Sequence, residues 1–405
     1  MKSSKKPNKR EEQINHLLTR GVAEIINRDH LKTALESDRK LRVKLGIDPT
    51  GAKIHLGRAV AIRKLKEFQD LGHQIVLIVG GFTAQIGDPS DKLSRRPMLS
   101  EEQIKANLKN YKKQLGKILD LKKTEFLNNV TWLKKLTFRE IADLAESFSV
   151  HQMIERRNFK ERFEKGEEIS LREFLYPLMQ GYDSVITKAD VELGGTDQLF
   201  NLLAGRTIQR HYGQKEQDIL VNEMLEGTDG RKMSTSWGNV ITIVDEPADM
   251  YGKLMSIKDE LITKYFILCT DVSGEEIIRV EKEMAEGGLN PRDAKARLAY
   301  EIVKTYHGEK AAKKAEEEFN EVFREKKLPE EIKEFRVGAA EISLIDALLL
   351  TKLASSRSEA RRLIKQGGAR VNQEKINDSE AVVIIPEEGT IIQIGARRFA
   401  KLVKL

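Results

Sequence analysis

Leu41-Arg42-Val43-Lys44-Leu45-Gly46-Ile47-Asp48-Pro49-Thr50-Gly51-Ala52-Lys53-Ile54-His55-Leu56-Gly57-Arg58 runs from an apolar segment through a turn into a helix pattern. Leu41 to Ile47 reads as a strand, and Asp48-Pro49-Thr50-Gly51 carries residue types that reverse a chain. From about Gly57 to Leu71 apolar positions, Val60, Leu65 and Phe68 among them, recur at helical spacing. Gln74 to Val79 is a second apolar strand. Strand, helix and strand on short connections form the βαβ unit of a parallel sheet, which needs helices on both faces. The fold class expected is α/β. Two more strands are expected near Ala189–Leu193 and Asp218–Val221. Between the second and third strands, roughly residues 90–188 are charged and helix-patterned and read as an insertion at the sheet, with Leu171–Gln180 as its apolar end.

Further along, Pro247 to Glu334 reads as helical throughout, ending in the charged Lys310–Lys327 stretch, which is expected to be a solvated face. From Ile342 to Leu405 an arginine-rich helix pair precedes short strands at Ala369–Val371, Val382–Ile385 and Thr390–Ile394, a small separate α+β module. A length of 405 residues suits two to three domains. Lysine and arginine exceed the acids by 7, too small a surplus to demand a nucleic-acid partner unless the charge is localised. The single cysteine, Cys269, cannot form an intramolecular disulfide, and the seven histidines show no metal-ligand pair at helical spacing, so no metal site is expected. Ile75 to Val79, the longest apolar run, is far too short for a bilayer. Residues 1–11, with Lys2, Lys5, Lys6, Lys9 and Arg10, read as a solvated basic tail rather than a signal peptide. The composition reads as cytoplasmic, soluble and multidomain, with no membrane partner.

The loop Asp48–Arg58 leaves the carboxyl edge of a parallel sheet, where ligands of open α/β sheets bind, and enters a helix whose N-terminus favours phosphates. His55 adds a donor to developing phosphoryl charge, and Gly57 lets a flat ring approach the backbone. Asp229-Gly230-Arg231-Lys232-Met233-Ser234-Thr235-Ser236-Trp237-Gly238-Asn239 is a polar, glycine-flanked loop whose Lys232 can reach a pyrophosphate. Each alone is ordinary, a βα loop with a histidine and a surface loop with a lysine. In this order, the pair resembles the signatures of a class I aminoacyl-tRNA synthetase. Tyr176, Gln180 and Asp183 fall at i, i+4 and i+7 on one helix face. With Gly87-Asp88-Pro89-Ser90 and Gly194-Gly195-Thr196-Asp197-Gln198, they resemble the bacterial tyrosyl-tRNA synthetases. The likeness continues through Asn290-Pro291-Arg292-Asp293-Ala294-Lys295 and runs from about residue 12 onward.

The resemblance implies a Rossmann-like parallel-sheet catalytic domain over 12–228 with a helical insertion at about 90–188. It also implies a mobile loop with an all-helical anticodon-side domain over 229–335, and a small α+β S4 domain over 342–405. The reaction implied is activation of tyrosine by ATP to tyrosyl-adenylate and pyrophosphate, then transfer of the tyrosyl group to the 3′ end of tRNA(Tyr). ATP with Mg²⁺ enters as a substrate complex, with no tightly bound cofactor, and a homodimer forms through the insertion. Asp88, Tyr176 and Gln180 match positions that hold the α-ammonium, and Asp183 matches the acceptor for the phenolic hydroxyl. Asp48 and Gln198 match pocket-lining positions, and Asp197 a ribose acceptor. The ATP site so implied comprises His55, Gly57, Gly195, Asp197, Lys232, Met233, Ser234 and Thr235. The catalytic set is Thr50, His55, Arg58, Lys232 and Thr235. Ser355 to Asn372 resembles an S4 RNA-binding segment, in which Arg357, Arg361 and Lys365, every fourth residue, and Arg362 offer cations to a phosphate backbone.

Three positions depart from the family pattern. Arg58 stands for the second histidine of His-x-Gly-His, Thr235 for the second lysine of Lys-Met-Ser-Lys-Ser, and Asp91 for a glycine. Either Arg58 supplies from the helix the phosphate-binding charge missing at Thr235, or the chain binds tyrosine or RNA and activates slowly. Intact tyrosine and ribose positions favour compensation. Rival readings are a tryptophanyl relative, a regulatory RNA-binding paralogue and a small-molecule nucleotidyltransferase.

Overall fold

Residues 9–90, 99–324, 332–395 and 398–405 are described by the computed structural model. Asp91 and the tail residues Lys2, Lys5 and Lys6 lie outside them, as does the end of the Lys310–Lys327 stretch.

Six strands form one sheet: β1 (Val22–Ile26), β2 (Arg42–Ile47), β3 (Gln74–Val79), β4 (Thr124–Asn128), β5 (Val191–Gly195) and β6 (Asp218–Asn222). Their order is β1-β6-β5-β2-β3-β4. All neighbours from β6 to β4 are parallel, and β1 closes one edge antiparallel to β6. The four strands expected from apolar runs are present, and β1 and β4 are additional. In β4, Thr-Glu-Phe-Leu-Asn is partly exposed along its length and makes no apolar run, because it is an edge strand. It lies inside residues 90–188, so the reading of that segment as a purely helical insertion is corrected: the sheet takes one strand from it.

Helix α1 (Leu56–Asp70) follows β2 and buries Val60, Ile62, Leu65 and Phe68. Helix α2 (Leu171–Thr187) starts with a capping box between Ser170 and Glu173. It buries Tyr176, Leu178, Gly181, Asp183 and Ser184. Helix α3 (Leu199–His211) follows β5 and packs on α2. That packing is close because two glycines face it. A Cβ on Gly181 would sit 3.0 Å from the Ala204 carbonyl oxygen and 3.1 Å from Ile208, and one on Gly205 2.9 Å from the Ser184 hydroxyl. Among the described residues no helix is long and apolar enough to cross a membrane.

Two compact units emerge, one of Met1–Glu246 with Lys253–Glu309 and one of Pro247–Gly252 with Lys310–Leu405. The helical segment after Pro247 is therefore divided between them. In the first unit Arg20 donates to the carbonyls of Phe266, Ile267, Thr270 and Val272 at 2.6–2.9 Å, satisfying the open end of the helix Ile262–Cys269. In the second unit β7 (Glu334–Val337), β8 (Glu341–Ser343), β9 (Ala369–Val371), β10 (Glu374–Ile376), β11 (Val382–Ile384), β12 (Thr390–Ile394) and β13 (Arg398–Lys404) make a five-stranded sheet, β10-β9-β12-β13-β7, and a pair, β11-β8. The helices Leu344–Leu350 and Arg357–Lys365 close a core of Leu344, Leu348, Ile364, Ile392 and Leu402.

Replacing Gly181 with valine is expected to push α2 from α3 and destabilise the chain by about 1–3 kcal/mol in denaturant unfolding. An unchanged midpoint would contradict the close approach.

Candidate active site

β2 and β5 are neighbours at the centre of the sheet, and the chain leaves their carboxyl ends toward β3 on one side and β6 on the other. A crevice opens at such a switch point. Here it is a cavity of about 420 Å³. Every catalytic, ATP-binding and tyrosine-binding position expected from the sequence lines it. Arg357, Arg361, Arg362 and Lys365 are instead exposed on a helix of the second unit, with Ala360 and Ile364 turned to its core. Arg357 there pairs with Asp346.

The phosphate-facing end is built on α1. His55 caps that helix, its Nδ1 accepting from the Arg58 amide at 3.3 Å. Burial, then the charges of Arg58 and Lys232, push its pKa down to about 3. The ring is therefore neutral near pH 7, with the proton on Nε2 available for donation. Arg58 donates to the Thr50 hydroxyl at 2.6 Å, the Tyr111 hydroxyl at 2.7 Å and the Asp48 carbonyl at 3.3 Å. Met233 covers Gly57, with its sulfur 3.3 Å from the glycine nitrogen, where the sequence reading expected room for a flat ring. Asn239 pins the 229–239 loop by donating to Asp229 at 2.8 Å and accepting from the Ser234 amide at 2.9 Å. Lys232 donates to Asp197 at 2.9 Å, so the two groups expected to take the phosphates and the ribose hold each other. Thr235 is exposed in a short 3₁₀ turn.

The other end is lined by carboxylates. Asp48 accepts from Thr83 at 2.7 Å and Tyr176 at 2.8 Å. Burial raises its pKa to about 6 against the lowering effect of those two hydrogen bonds. Asp88 accepts from the Ser90 amide at 2.9 Å and from Gln198 at 2.6 Å. Asp183, 3% exposed, accepts from Trp132 at 2.8 Å and Asn129 at 3.2 Å, and burial raises its pKa to about 7. The sequence reading missed Thr83, Tyr111, Asn129, Trp132 and Asn201, which donates to Ser90 and Gln198 at 3.0 Å. Only the polar Asn128-Asn129 pair before an otherwise apolar Val130-Thr131-Trp132-Leu133 segment gave a signal for two of them.

Residues 36–324 match the model of the tRNA synthetases class I (W and Y), and residues 324–399 that of the tyrosine–tRNA ligase SYY-like C-terminal domain. The chain belongs to the class I tRNA synthetases. It is 49% identical to the tyrosine–tRNA ligase of Thermotoga maritima over 97% of each chain, and 50% identical to that of Carboxydothermus hydrogenoformans over 96% of this chain and 97% of the other. Within the class, then, its family is that of the tyrosine–tRNA ligases. Solved structures agree in fold. A C-terminally truncated mitochondrial tyrosyl-tRNA synthetase of Aspergillus nidulans superposes with a TM-score of 0.63 at 24% identity, over 77% of this chain and 94% of the other. The enzyme of Archaeoglobus fulgidus, solved with L-tyrosine, gives 0.60 at 19%, over 75% and 99%.

Asp183 binds its proton more tightly folded than unfolded, so its contribution to stability falls as pH rises from about 4 to about 7. Asp183→Asn is expected to gain on the parent by roughly 3 kcal/mol between pH 5 and pH 8 in denaturant melts. A difference independent of pH would contradict the buried-carboxylate assignment.

Proposed function

We propose that this cavity binds tyrosine at its carboxylate-lined end and ATP at its α1 end, and there carries out the family's reaction. The chain is a ligase forming aminoacyl-tRNA, and aminoacylation of tRNA(Tyr) is that function. The observation that carries the site assignment is Asp183. A carboxylate at the closed end of the cavity, with two N–H donors fixed on its oxygens, is an acceptor waiting for one more donor, and a phenolic hydroxyl supplies it. Phenylalanine would leave that remaining acceptor position unfilled. The handicap for phenylalanine in this enzyme type is about 10⁵, a known magnitude for tyrosine activation. Asp88, the Tyr176 oxygen and the Gln180 amide oxygen suit an ammonium, and Gln198, bonded to Asp88, orders that side.

The tyrosine carboxylate attacks the α-phosphorus of ATP in line. The new bond joins carboxylate oxygen to phosphorus, and the bridging oxygen to the β-phosphorus leaves with pyrophosphate. His55 donates from Nε2 to the leaving phosphates, and Lys232 reaches them after parting from Asp197, which is thereby freed for the ribose; Gly195 leaves space beside it. Arg58, fixed by Thr50 and Tyr111, holds a permanent cation beside His55, which supports compensation for Thr235. Mg²⁺ arrives on the ATP phosphates. The 3′-terminal adenosine of tRNA then takes the tyrosyl group.

In the second unit the exposed Arg357, Arg361, Arg362 and Lys365 hold the tRNA backbone as an S4 domain does. Phe138 (89% exposed), Val150 (65%), Phe163 (61%) and Leu171 (79%) concentrate exposed apolar surface in the insertion, and a second copy of the chain covers it in a homodimer. The place of action is the cytoplasm. Charging of a tRNA(Tyr) transcript with labelled tyrosine tests the reading. The parent chain is expected to charge it, and Arg361→Glu with Lys365→Glu to lose at least tenfold in kcat/KM for tRNA while retaining adenylate formation. Equal charging by the double variant would contradict the RNA role.

A further inference from the structure

Lys44 lies in the middle of β2 and is 0% exposed, as is Glu192 of β5. The Lys44 ammonium donates to Glu192 at 2.9 Å, the Ser184 hydroxyl at 2.6 Å and the Gln180 carbonyl at 3.0 Å, so all three of its protons are used. The Glu192 carboxylate accepts in addition from the Gln180 side-chain amide at 3.1 Å, from Ser184 at 3.0 Å and from Gln217. A fully buried ion pair is weak evidence for stability, because an apolar pair of similar volume often does as well. What singles this pair out is its position beneath α2, between the two adjacent strands whose ends make the cavity. Gln180 and Asp183 stand on that helix above it. The bond from Gln180 to Glu192 consumes the amide nitrogen, and the amide oxygen is left as the acceptor on the cavity wall.

We propose that the buried Lys44–Glu192 pair is the positioning and charge-setting element of the substrate pocket: Glu192 fixes which face of the Gln180 amide meets the substrate, and Lys44 supplies the positive field that favours the acceptor form of Asp183. The proposal rests on the reading of this cavity as the tyrosine site. The charged and titratable groups around Asp183 are Lys44 on β2, Glu192 on β5 and Tyr176 on α2 itself. Lys44 is the largest charge acting on Asp183, and Glu192 opposes it. Both are positioning residues, since Asp183 and Gln180 make the substrate contacts.

The signs give the test. Tyrosine-dependent ATP–pyrophosphate exchange is measured from pH 5.5 to 8.5 on the full-length parent, Lys44→Met, Glu192→Gln and the double variant, each checked for folding by circular dichroism. In the parent, KM for tyrosine is expected to rise as pH falls through the neutral range. Lys44→Met is expected to move that limb to higher pH by about one unit and raise KM at pH 7 about fivefold, with a smaller change in kcat. Glu192→Gln is expected to move it to lower pH. Should Lys44→Met fail to fold, the double variant, which leaves no buried charge unpaired, is expected to move the limb upward by less, since the larger effect is that of Lys44. A merely structural role would shift no limb, or both single variants the same way, and that result overturns the proposal. Absence of exchange by the parent overturns instead the reading on which it rests.

Discussion

The adjacency of β2 and β5 is the constraint on which the site depends. Parallel strands need crossover helices, and when two neighbours send their chains to opposite sides of the sheet their carboxyl ends leave a gap that neither crossover fills. Asp48 and His55 follow one end, and Gly195 ends the other strand, with Asp197 and Gln198 just beyond it. α2 closes the floor because Gly181 and Gly205 let it settle on α3 and on the strands. The cavity walls thus come from segments far apart in sequence, and packing rather than loop conformation fixes their spacing.

That enclosure sets the chemistry of each end. Burial works against every charge in the cavity and acts differently on acids and bases. Asp48 and Asp183 hold their protons more tightly than free carboxylates do, while His55, at a helix N-terminus and beside two cations, sheds its own. One end therefore holds carboxylates that keep their protons up to the neutral range, and the other a neutral histidine among cations. The ion pair of Lys232 with Asp197 ties the 229–239 loop to the segment that follows β5.

Much of this was legible in the sequence. The βαβ unit showed because Ile75–Val79 is a continuous apolar run in a buried strand and Leu41, Val43, Leu45 and Ile47 put an apolar residue at every second position, and the polar lining of the cavity showed because its residues fall in short segments with distinctive spacing. β4 did not show, because an edge strand has no such run, and with it went Asn129, which lines the cavity, and Trp132, which donates to Asp183. Lys44 and Glu192 were visible as charges inside apolar strands, but only the pairing of β2 with β5 reveals that they meet. Arg58 was read as a phosphate cation, and its partner Tyr111 comes from a helical segment with no feature to mark it.

The central claim is that this cavity activates tyrosine despite Arg58 and Thr235. The most direct measurement is ATP–pyrophosphate exchange by active-site-titrated protein with tyrosine, and in parallel with phenylalanine and tryptophan. The account predicts exchange that depends on tyrosine and is at least 10⁴-fold weaker in kcat/KM with phenylalanine. No exchange above background with tyrosine, or comparable exchange with phenylalanine, would contradict it.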